Sequence, residues 1–304
     1  MPDTGSSVAS GTVVALQANY LEVELDAAPV GCPGRLLCTR RTRLSHRGAA
    51  VYVGDRVVVE AIDPGQARAV VVDVEPRDSF LSRPPVANAS LVAVVLAVEQ
   101  PRFDPDQASR FLLTAERTGL EVILLLTKTD LLSAPALDRL MTRLKGWGYN
   151  PQVLSSIART GMDALRQRLA GARLSVLCGP SGVGKSSLLN QLCPSLQLRT
   201  AAVSGRLQRG RHTTRHVELF PLGPSSRVAD TPGFNRPDLP DDPQELGILF
   251  PELRQQLDPW PCRFRDCLHR GEPGCGVSKD WERYPLYQAA LVEQCSLSRP
   301  SRGG

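Results

Sequence analysis

The order of three short motifs is the strongest constraint on what this chain can fold into. Residues 127–130 read TKTD, residues 179–187 read GPSGVGKSS, and residues 230–233 read DTPG. An ordinary GTPase carries the phosphate loop first, DxxG second and the base-reading motif last. Because the base-reading pattern comes first here, we expect one nucleotide site built by an α/β fold with circularly permuted connectivity.

The second motif fits the phosphate-loop pattern GxxxxGK[ST]. An apolar run at 175–178 precedes it as a strand, and 187–192 follows as the start of a helix. Glycines let backbone N–H groups surround phosphate oxygens, and the helix N-terminus adds its positive end. We expect Lys185 to contact the β- and γ-phosphates and Ser186 to bind Mg²⁺. The predicted nucleotide contacts are Gly179, Pro180, Ser181, Gly182, Val183, Gly184, Lys185, Ser186 and Ser187; the alternative is a glycine-rich turn without a ligand.

The TKTD motif predicts which base is bound. It follows the apolar run 122–126 and so stands at the carboxyl end of a strand, where open α/β sheets bind ligands. The Asp130 carboxylate can accept two hydrogen bonds from guanine, whereas adenine would leave buried polar groups unpaired. Lys128 can lay its stem along the base. Thr127, where Asn is usual, keeps a hydroxyl but loses the amide, which predicts weaker guanine binding.

Three further residues complete the predicted base site. Thr129 lies within the motif, and Ser155 and Ser156 follow a strand pattern at 152–154 as weaker candidates for the loop that contacts the guanine edge. The alternative interpretation of the TKTD motif is a polar turn that caps the next helix.

The DTPG motif predicts the γ-phosphate side of the site. Asp230 ends a short strand at 227–229 and would hold Mg²⁺ through water, while the Gly233 N–H would contact the γ-phosphate. Many GTPases place a water-orienting Gln after this glycine, but here Phe234 follows. Since a phenyl ring neither donates nor accepts such a hydrogen bond, hydrolysis needs another group to orient water.

His212 is the candidate for that group. It lies in the sequence GRHTTR between the phosphate loop and DTPG, where switch I is expected, and Thr213 or Thr214 could close on Mg²⁺. We therefore predict that His212 and Lys185 are catalytic. The alternative is that His212 is a basic loop residue that touches phosphate or RNA.

A metal site is predicted near the C-terminus. Cys262, Cys267, His269 and Cys275 offer three thiolates and one imidazole within fourteen positions. Zinc prefers such tetrahedral N/S coordination, and a closed set leaves no open position, so the site should be structural. Reduced cysteines without a metal, or a disulfide, are the alternatives. The other cysteines have no ligand-like grouping and are predicted to pack as small apolar residues: Cys32, Cys38, Cys178, Cys193 and Cys295.

The N-terminal region has the pattern of a small β-barrel. Five strand-like segments, at 12–16, 21–25, 35–39, 56–60 and 69–74, predict an OB-type barrel. Between the third and fourth stands a basic stretch with no acidic residue before Asp55, and its arginines are predicted to bind RNA: Arg40, Arg41, Arg43 and Arg47. The alternative is that these arginines are exposed to solvent and bind no partner. Because Tyr20 and Tyr52 are the only aromatic residues there, we expect phosphate contact rather than base stacking.

Length and composition favour a multidomain protein. The 304 residues carry a net charge of +5, no apolar signal core precedes residue 10, and no apolar run reaches membrane-spanning length. We expect an all-β OB-type barrel at 1–78, a central α/β P-loop GTPase domain at 79–238 and a helical zinc-binding domain at 239–304. Proline-rich linkers are predicted at 76–85 and 237–243. The expected protein is a cytoplasmic monomer that binds neither DNA nor a membrane.

The segments GRHTT, GPSGVGKSS and DTPGF, in permuted order, resemble the circularly permuted ribosome small-subunit-dependent GTPase A family. The resemblance covers nearly the whole chain and implies an OB-fold, a permuted GTPase domain and a C-terminal zinc domain. It implies action late in maturation of the small ribosomal subunit, contact with its rRNA, and GTP hydrolysis stimulated by the subunit. The family's proposed catalytic histidine corresponds to His212. Thr127 departs from the pattern, and Gly182 stands where potassium-dependent relatives have Asn.

Two other functions are compatible with parts of the sequence. One is an ATP-using P-loop enzyme, which Asp130 and the DTPG motif disfavour. The other is an RNA-binding scaffold with a vestigial nucleotide site, which Phe234 and Thr127 favour but the intact Lys185 and Ser186 disfavour.

Overall fold

The computed structural model describes residues 8–17, 19–41, 50–194, 217–230 and 242–297. The chain forms two compact units, each assembled from separate sequence segments. The first comprises Met1–Leu91, Asp163–Leu177 and Ser186–Phe234, and the second comprises Val92–Met162, Cys178–Lys185 and Asn235–Gly304. Both the TKTD motif and most of the phosphate loop therefore belong to the second unit.

Strands and helices alternate through the middle of the chain, and strands dominate its beginning. The strands are β1 (Ala9–Gln17), β2 (Tyr20–Leu25), β3 (Arg35–Arg40), β4 (Arg56–Asp63), β5 (Arg68–Val74), β6 (Phe80–Ser82), β7 (Pro85–Ala87), β8 (Leu91–Ala97), β9 (Glu121–Thr127), β10 (Gln152–Val153), β11 (Leu174–Cys178), β12 (Glu218–Pro221) and β13 (Arg227–Asp230). The helices are α1 (Pro105–Glu116), α2 (Ala134–Gly146), α3 (Met162–Ala170), α4 (Lys185–Leu192), α5 (Pro243–Ile248), α6 (Pro251–Arg254) and α7 (Tyr284–Leu297), with a 3₁₀ turn at Thr129–Leu131.

The first five strands close into the predicted barrel. β1 pairs antiparallel with β2 and with β4, β3 pairs with β2 antiparallel and with β5 parallel, and β4 pairs with β5. Alternating residues face inward, so that Leu21, Val23 and Leu25 of β2 join one buried apolar cluster. Because every strand has two neighbours, the barrel exposes no free sheet edge.

The segment predicted as the first linker, residues 76–85, has regular structure. It contains most of a hairpin in which β6 and β7 pair antiparallel. The hairpin is fixed to the barrel, because Ala87 N–H donates to the Val53 carbonyl at 2.8 Å and Asn88 Nδ2 donates to the Gly54 carbonyl at 3.0 Å. Its strands are only three residues long and are bordered by prolines, which is why the sequence pattern does not indicate them.

Parallel strand pairs occur in both parts of the α/β region. In the first unit β11 runs parallel to β13, with Leu174 opposite Arg227 and Leu177 opposite Asp230, while β12 is antiparallel to β13. In the second unit β10 is parallel to β9, which lies beside β8. Every residue of β8 is buried, as a continuous apolar strand in such a sheet requires.

The C-terminal segment has its own apolar cluster, and it is less helical than predicted. Leu246, Phe250, Leu253 and Tyr287 are buried together, and Leu113 of α1 joins them. Residues 255–283, which carry the cysteines and histidine, contain no helix. Within the described residues, no helix is both long and apolar enough to cross a membrane.

Candidate nucleotide site and candidate metal centre

The phosphate loop joins β11 to α4, as its pattern predicts. Gly179 has a φ of +142°, and a Cβ at this position would lie 2.1 Å from the Val95 carbonyl oxygen. Only glycine therefore fits without displacing backbone. Lys185, the first residue of α4, places its Nζ 2.7 Å from both the Gly179 and Pro180 carbonyl oxygens. The ammonium group thus lies inside the curve of the loop, where phosphate oxygens bind in this type of site.

The TKTD motif contacts the phosphate loop directly. The Thr127 hydroxyl lies 2.6 Å from the Val183 carbonyl oxygen and 3.2 Å from that of Leu96, and the residue is only 4% exposed. Lys128 adopts a left-handed conformation and donates from Nζ to the Gly182 carbonyl at 2.9 Å. Two motifs more than fifty residues apart therefore form one site, as their order predicts.

Asp130 is oriented by the serine that the sequence analysis ranked as a weak candidate. Ser155 donates from its hydroxyl to Asp130 Oδ1 at 2.5 Å and accepts a hydrogen bond from the Ala158 N–H at 3.0 Å. Thr129 turns inward and donates to the Leu154 carbonyl at 3.0 Å. The loop thereby holds the carboxylate at a fixed angle, while Asp130 itself is exposed and can accept from a ligand. Ser156 is half-buried beside it.

The magnesium side of the site is described only in part. Asp230 is the last residue of β13 and is in register with Leu177, two residues before Gly179. Since β11 and β13 are parallel, their carboxyl ends lie at one edge of the sheet. Ser186 and Ser187 are half-buried in the first turn of α4. The predicted residues His212, Thr213, Thr214 and Gly233 lie outside the described residues.

A further segment contacts the phosphate loop and was missed by the sequence analysis. The turn after β8 brings Gln100 and Pro101 to it: Lys128 Nζ donates to the Gln100 carbonyl, and a Cβ on Gly182 would lie 3.7 Å from Pro101 Cδ. The proline marks a turn, but nothing in its sequence indicates which loop it contacts.

The structure brings the four predicted metal ligands together. The Cys262 Sγ lies 3.5 Å from His269 Nδ1 and 3.9 Å from Cys275 Sγ, and Cys275 Sγ lies 3.8 Å from His269 Nδ1. Together with Cys267, all ligand atoms lie within 4.8 Å of one another. A tetrahedron with metal–sulfur bonds of roughly 2.3 Å has edges of roughly 3.8 Å. The donor set and its spacing therefore fit a zinc ion.

Tight turns, and hydrogen bonds from neighbouring side chains to the backbone, hold these ligands in place. Gly274 has a φ of +83°, and a Cβ there would lie 2.8 Å from Arg263 Cβ. The Glu272 carboxylate accepts from the backbone N–H of Arg270 at 2.7 Å and of Gly271 at 3.1 Å. Although burial raises the pKa of Glu272, such N–H donors outweigh it and lower the pKa below the usual value. From α7, the Tyr284 hydroxyl donates to the His269 carbonyl at 3.0 Å.

The metal-binding segment, residues 255–283, is anchored by a buried arginine to Trp147, the residue that follows α2. Arg283 is 3% exposed, and its Nε donates to Glu252 Oε1 at 2.7 Å. Its guanidinium carbon lies 4.8 Å from the centre of the Trp147 ring and 5.1 Å from that of Phe250. The next residue back, Glu282, accepts from Trp147 Nε1 at 2.9 Å. These contacts make the metal-binding segment and the base-reading half of the α/β region one packed body within the second unit.

The remaining predictions have mixed outcomes. Burial raises the pKa of the Cys38 and Cys178 thiols to about 12, as expected for inert packed cysteines. Arg40 is exposed at the end of β3, whereas Arg41 is paired with Glu60 at 3.3 Å. Arg43 and Arg47 lie outside the described residues.

Known proteins match this chain over most or all of its length. A family model described as RsgA GTPase matches residues 74–240. A protein of Synechococcus sp. (strain CC9605) named small ribosomal subunit biogenesis GTPase RsgA is 88% identical over 304 residues, 100% of both chains. The crystal structure of YjeQ from Thermotoga maritima has a TM-score of 0.79 at 30% identity, covering 97% of this chain and 100% of that one. The structure of YloQ, described as a circularly permuted GTPase, has a TM-score of 0.76 at 26% identity and covers 99% of each chain.

Proposed function

Because this chain belongs to the RsgA GTPase family, we propose that it binds the small ribosomal subunit and hydrolyses GTP during a late step of that subunit's maturation. It is a ribosome-biogenesis GTPase that uses GTP and Mg²⁺. The observation that carries the site assignment is the hydrogen bonding of Thr127 and Lys128 to the phosphate loop, which joins base reader and phosphate cradle.

Binding of GTP follows from the groups described above. Asp130, oriented by Ser155, accepts the two donors on the guanine edge, and Lys128 covers the base with its stem. The backbone N–H groups of the loop and the positive end of α4 receive the phosphates, and Lys185 contacts the β- and γ-phosphates. Ser186 and Asp230 supply the oxygen donors suited to magnesium, and Thr213 or Thr214 completes the set. Magnesium bound there neutralises phosphate charge during transfer.

Hydrolysis requires an oriented water molecule, and His212 is the residue that we assign to it. Phe234 cannot serve, since its ring makes no such hydrogen bond. An imidazole from switch I could accept a proton from water while the Gly233 N–H contacts the γ-phosphate. Contact with the small subunit would stimulate turnover, because activating partners in this chemistry supply factors of about 10³–10⁵.

The domains have separate roles in this proposal. Residues 1–78 contact rRNA through Arg40, Arg41, Arg43 and Arg47, residues 79–238 bind and hydrolyse GTP, and residues 239–304 hold one structural zinc ion. The protein works as a cytoplasmic monomer. A scaffold with a vestigial nucleotide site is not favoured, because a buried hydrogen bond from Thr127 to the Val183 carbonyl joins the base-reading and phosphate-binding motifs.

GTP hydrolysis with and without purified small ribosomal subunits tests the proposal. We expect slow release of phosphate by the protein alone and a rise of at least about 100-fold with small subunits. Large subunits are the control and should give no rise. His212→Ala should retain GTP affinity and lose most of the stimulated turnover. Equal turnover with small and large subunits would contradict the small subunit as the partner. Normal stimulated turnover by His212→Ala would contradict only the proposed role of the histidine.

A further inference from the structure

An arginine and two aromatic rings form a cluster beside the barrel. Tyr52 precedes β4, and Phe80 begins β6 in the hairpin that the sequence did not indicate. Their ring centres lie 4.7 Å apart at an interplanar angle of 49°. The guanidinium carbon of Arg77 lies 4.9 Å from the centre of the Tyr52 ring and 5.2 Å from that of Phe80. We call Tyr52, Arg77 and Phe80 the aromatic stack.

Hydrogen bonds fix the arginine of the aromatic stack in place. Arg77 donates from Nε to Asp55 Oδ1 at 2.7 Å and from Nη2 to Asp55 Oδ2 at 2.9 Å, and Asp55 is fully buried. Nη2 also donates to the Ala50 carbonyl at 2.7 Å. Because both sides of the guanidinium fork are held, the rings that pack on it are pre-ordered, and a ligand would lose little conformational entropy by stacking on them.

Phe80 is not required by the core of the hairpin. Side chains alternate along β6, so that Leu81 points inward at 5% exposure, while Phe80 is 43% exposed. A strand position that faces solvent is normally occupied by a polar residue. An aromatic ring held by a fixed arginine, yet open on another side, has the form of a binding surface rather than of a packed residue.

We propose that the aromatic stack is a platform on which an unpaired RNA base stacks. This inference rests on the proposed function, which supplies rRNA as the partner. It deepens that proposal by giving the barrel a base-stacking contact where the sequence suggested phosphate contact alone. Sequence patterns do not indicate this contact, because Phe80 comes from the predicted linker, outside the barrel strands.

Charge complementarity favours RNA over an apolar peptide as the occupant. The sequence from Arg40 to Ala50 contains Arg41, Arg43 and Arg47 and no acidic residue, and the Ala50 carbonyl accepts from Arg77. Arg77 itself is neutralised by Asp55, so it supports the rings and contributes little attraction for phosphate. Barrels of this type recognise single-stranded nucleic acid with two components. Aromatic rings stack on the bases, and separate cationic side chains bind the phosphates.

Binding of a fluorescein-labelled twelve-nucleotide oligoadenylate to the full-length protein, followed by anisotropy, tests the proposal. Phe80→Ala should weaken binding about 5- to 150-fold, the range for loss of one base–aromatic contact. Phe80→Leu, which keeps apolar bulk without a ring, should also weaken it, and Phe80→Trp should retain it. Val30→Ala, which removes a fully exposed apolar side chain of the same barrel, is the matched control and should bind like the wild type.

The salt dependence of the binding affinity distinguishes the contribution of base stacking from that of phosphate contacts. Phe80→Ala should leave the slope of log affinity against log salt unchanged, because no phosphate contact is removed. Arg40→Ala should reduce the magnitude of the slope by about 0.7, the value for one phosphate on a single strand. Melting temperatures of all variants show whether each is folded.

Two results would overturn the platform. One is oligoadenylate binding by Phe80→Ala equal to that of wild type, and the other is a loss by Phe80→Trp as large as that by Phe80→Ala. The proposed function is tested separately by subunit-stimulated hydrolysis of the wild-type protein. A wild type that small subunits fail to stimulate, combined with Phe80-dependent RNA binding, would contradict the ribosomal role and leave the platform standing.

Discussion

At the scale of single residues, Thr127 shows how a side chain can serve the nucleotide site without facing the base. Its hydroxyl has one proton, and the Val183 carbonyl at 2.6 Å is its closest acceptor. At 4% exposure the side chain is covered by the protein. The loss of the usual amide therefore removes a contact to guanine while the connection to the phosphate loop is preserved.

Replacing Thr127 by Val should lower the affinity for GTP and GDP. The two side chains have the same shape, but valine leaves the buried Val183 carbonyl without its donor, which costs about 1–3 kcal/mol, or roughly 5- to 150-fold in affinity. Thr127→Ser, which keeps the hydroxyl, is the control and should bind nearly normally. Titration with a fluorescent GDP analogue measures both, and equal affinities for the two variants would show that the hydrogen bond is unimportant.

Sequence patterns predict residues well where chemistry demands a fixed spacing. Lys185 and the ligand Cys262 follow from such patterns, because a phosphate cradle or a tetrahedral metal restricts which residues can occur and how far apart. The partners of Thr127 and of Arg283 could not be predicted, since a side chain's direction depends on tertiary packing. The Arg283–Glu252 pair spans 31 residues, and no local pattern indicates it.

At the scale of elements, the segment 255–283 depends on its metal ligands because it has no helix or strand to order it. Turns, the Glu272 carboxylate and the tyrosines of α7 help to hold its backbone. Regular strands such as β8 were predictable from their apolar runs, whereas the hairpin of β6 and β7 was not, because short strands beside prolines have the composition of a linker.

We expect the purified protein to contain one zinc ion per chain, and Cys262→Ser to lose it. Removing one thiolate leaves zinc with only three of its four protein ligands. Both the metal affinity and the stability of the surrounding turns should therefore decrease. Elemental analysis gives the metal content, and the melting temperature with and without a chelator gives the coupling to stability. Cys32→Ser, a substitution in the barrel outside the ligand set, is the control and should change neither. Full zinc content in Cys262→Ser would contradict the ligand assignment.

At the scale of the whole molecule, the second unit is held together by charged groups removed from water. Arg283 and Glu252 are almost fully buried, and the arginine is sandwiched by Trp147 and Phe250. A buried pair of this kind adds little over an apolar contact while both partners are present, but loss of one partner leaves the other charge uncompensated.

Glu252→Gln should therefore destabilise the protein by about 3–5 kcal/mol. The substitution keeps the size of the side chain and removes only its charge, so the Arg283 cation remains buried without a counterion. Asp163→Asn breaks the exposed pair with Arg166, and it should have almost no effect. Urea unfolding followed by tryptophan fluorescence measures both, since Trp147 lies at the pair. Equal midpoints for the two variants would contradict a structural role of the buried pair.

The anchoring of Trp147 by residues 282 and 283 has a consequence for biosynthesis. Trp147 and Glu282 are 135 positions apart, so the tryptophan leaves the translating ribosome long before its partners exist. Leu113 likewise stays uncovered until the apolar residues of α5 to α7, which pack against it, have been synthesised. The nascent polypeptide must keep these surfaces from aggregating until the last helix emerges, and a prematurely terminated product would carry them permanently uncovered.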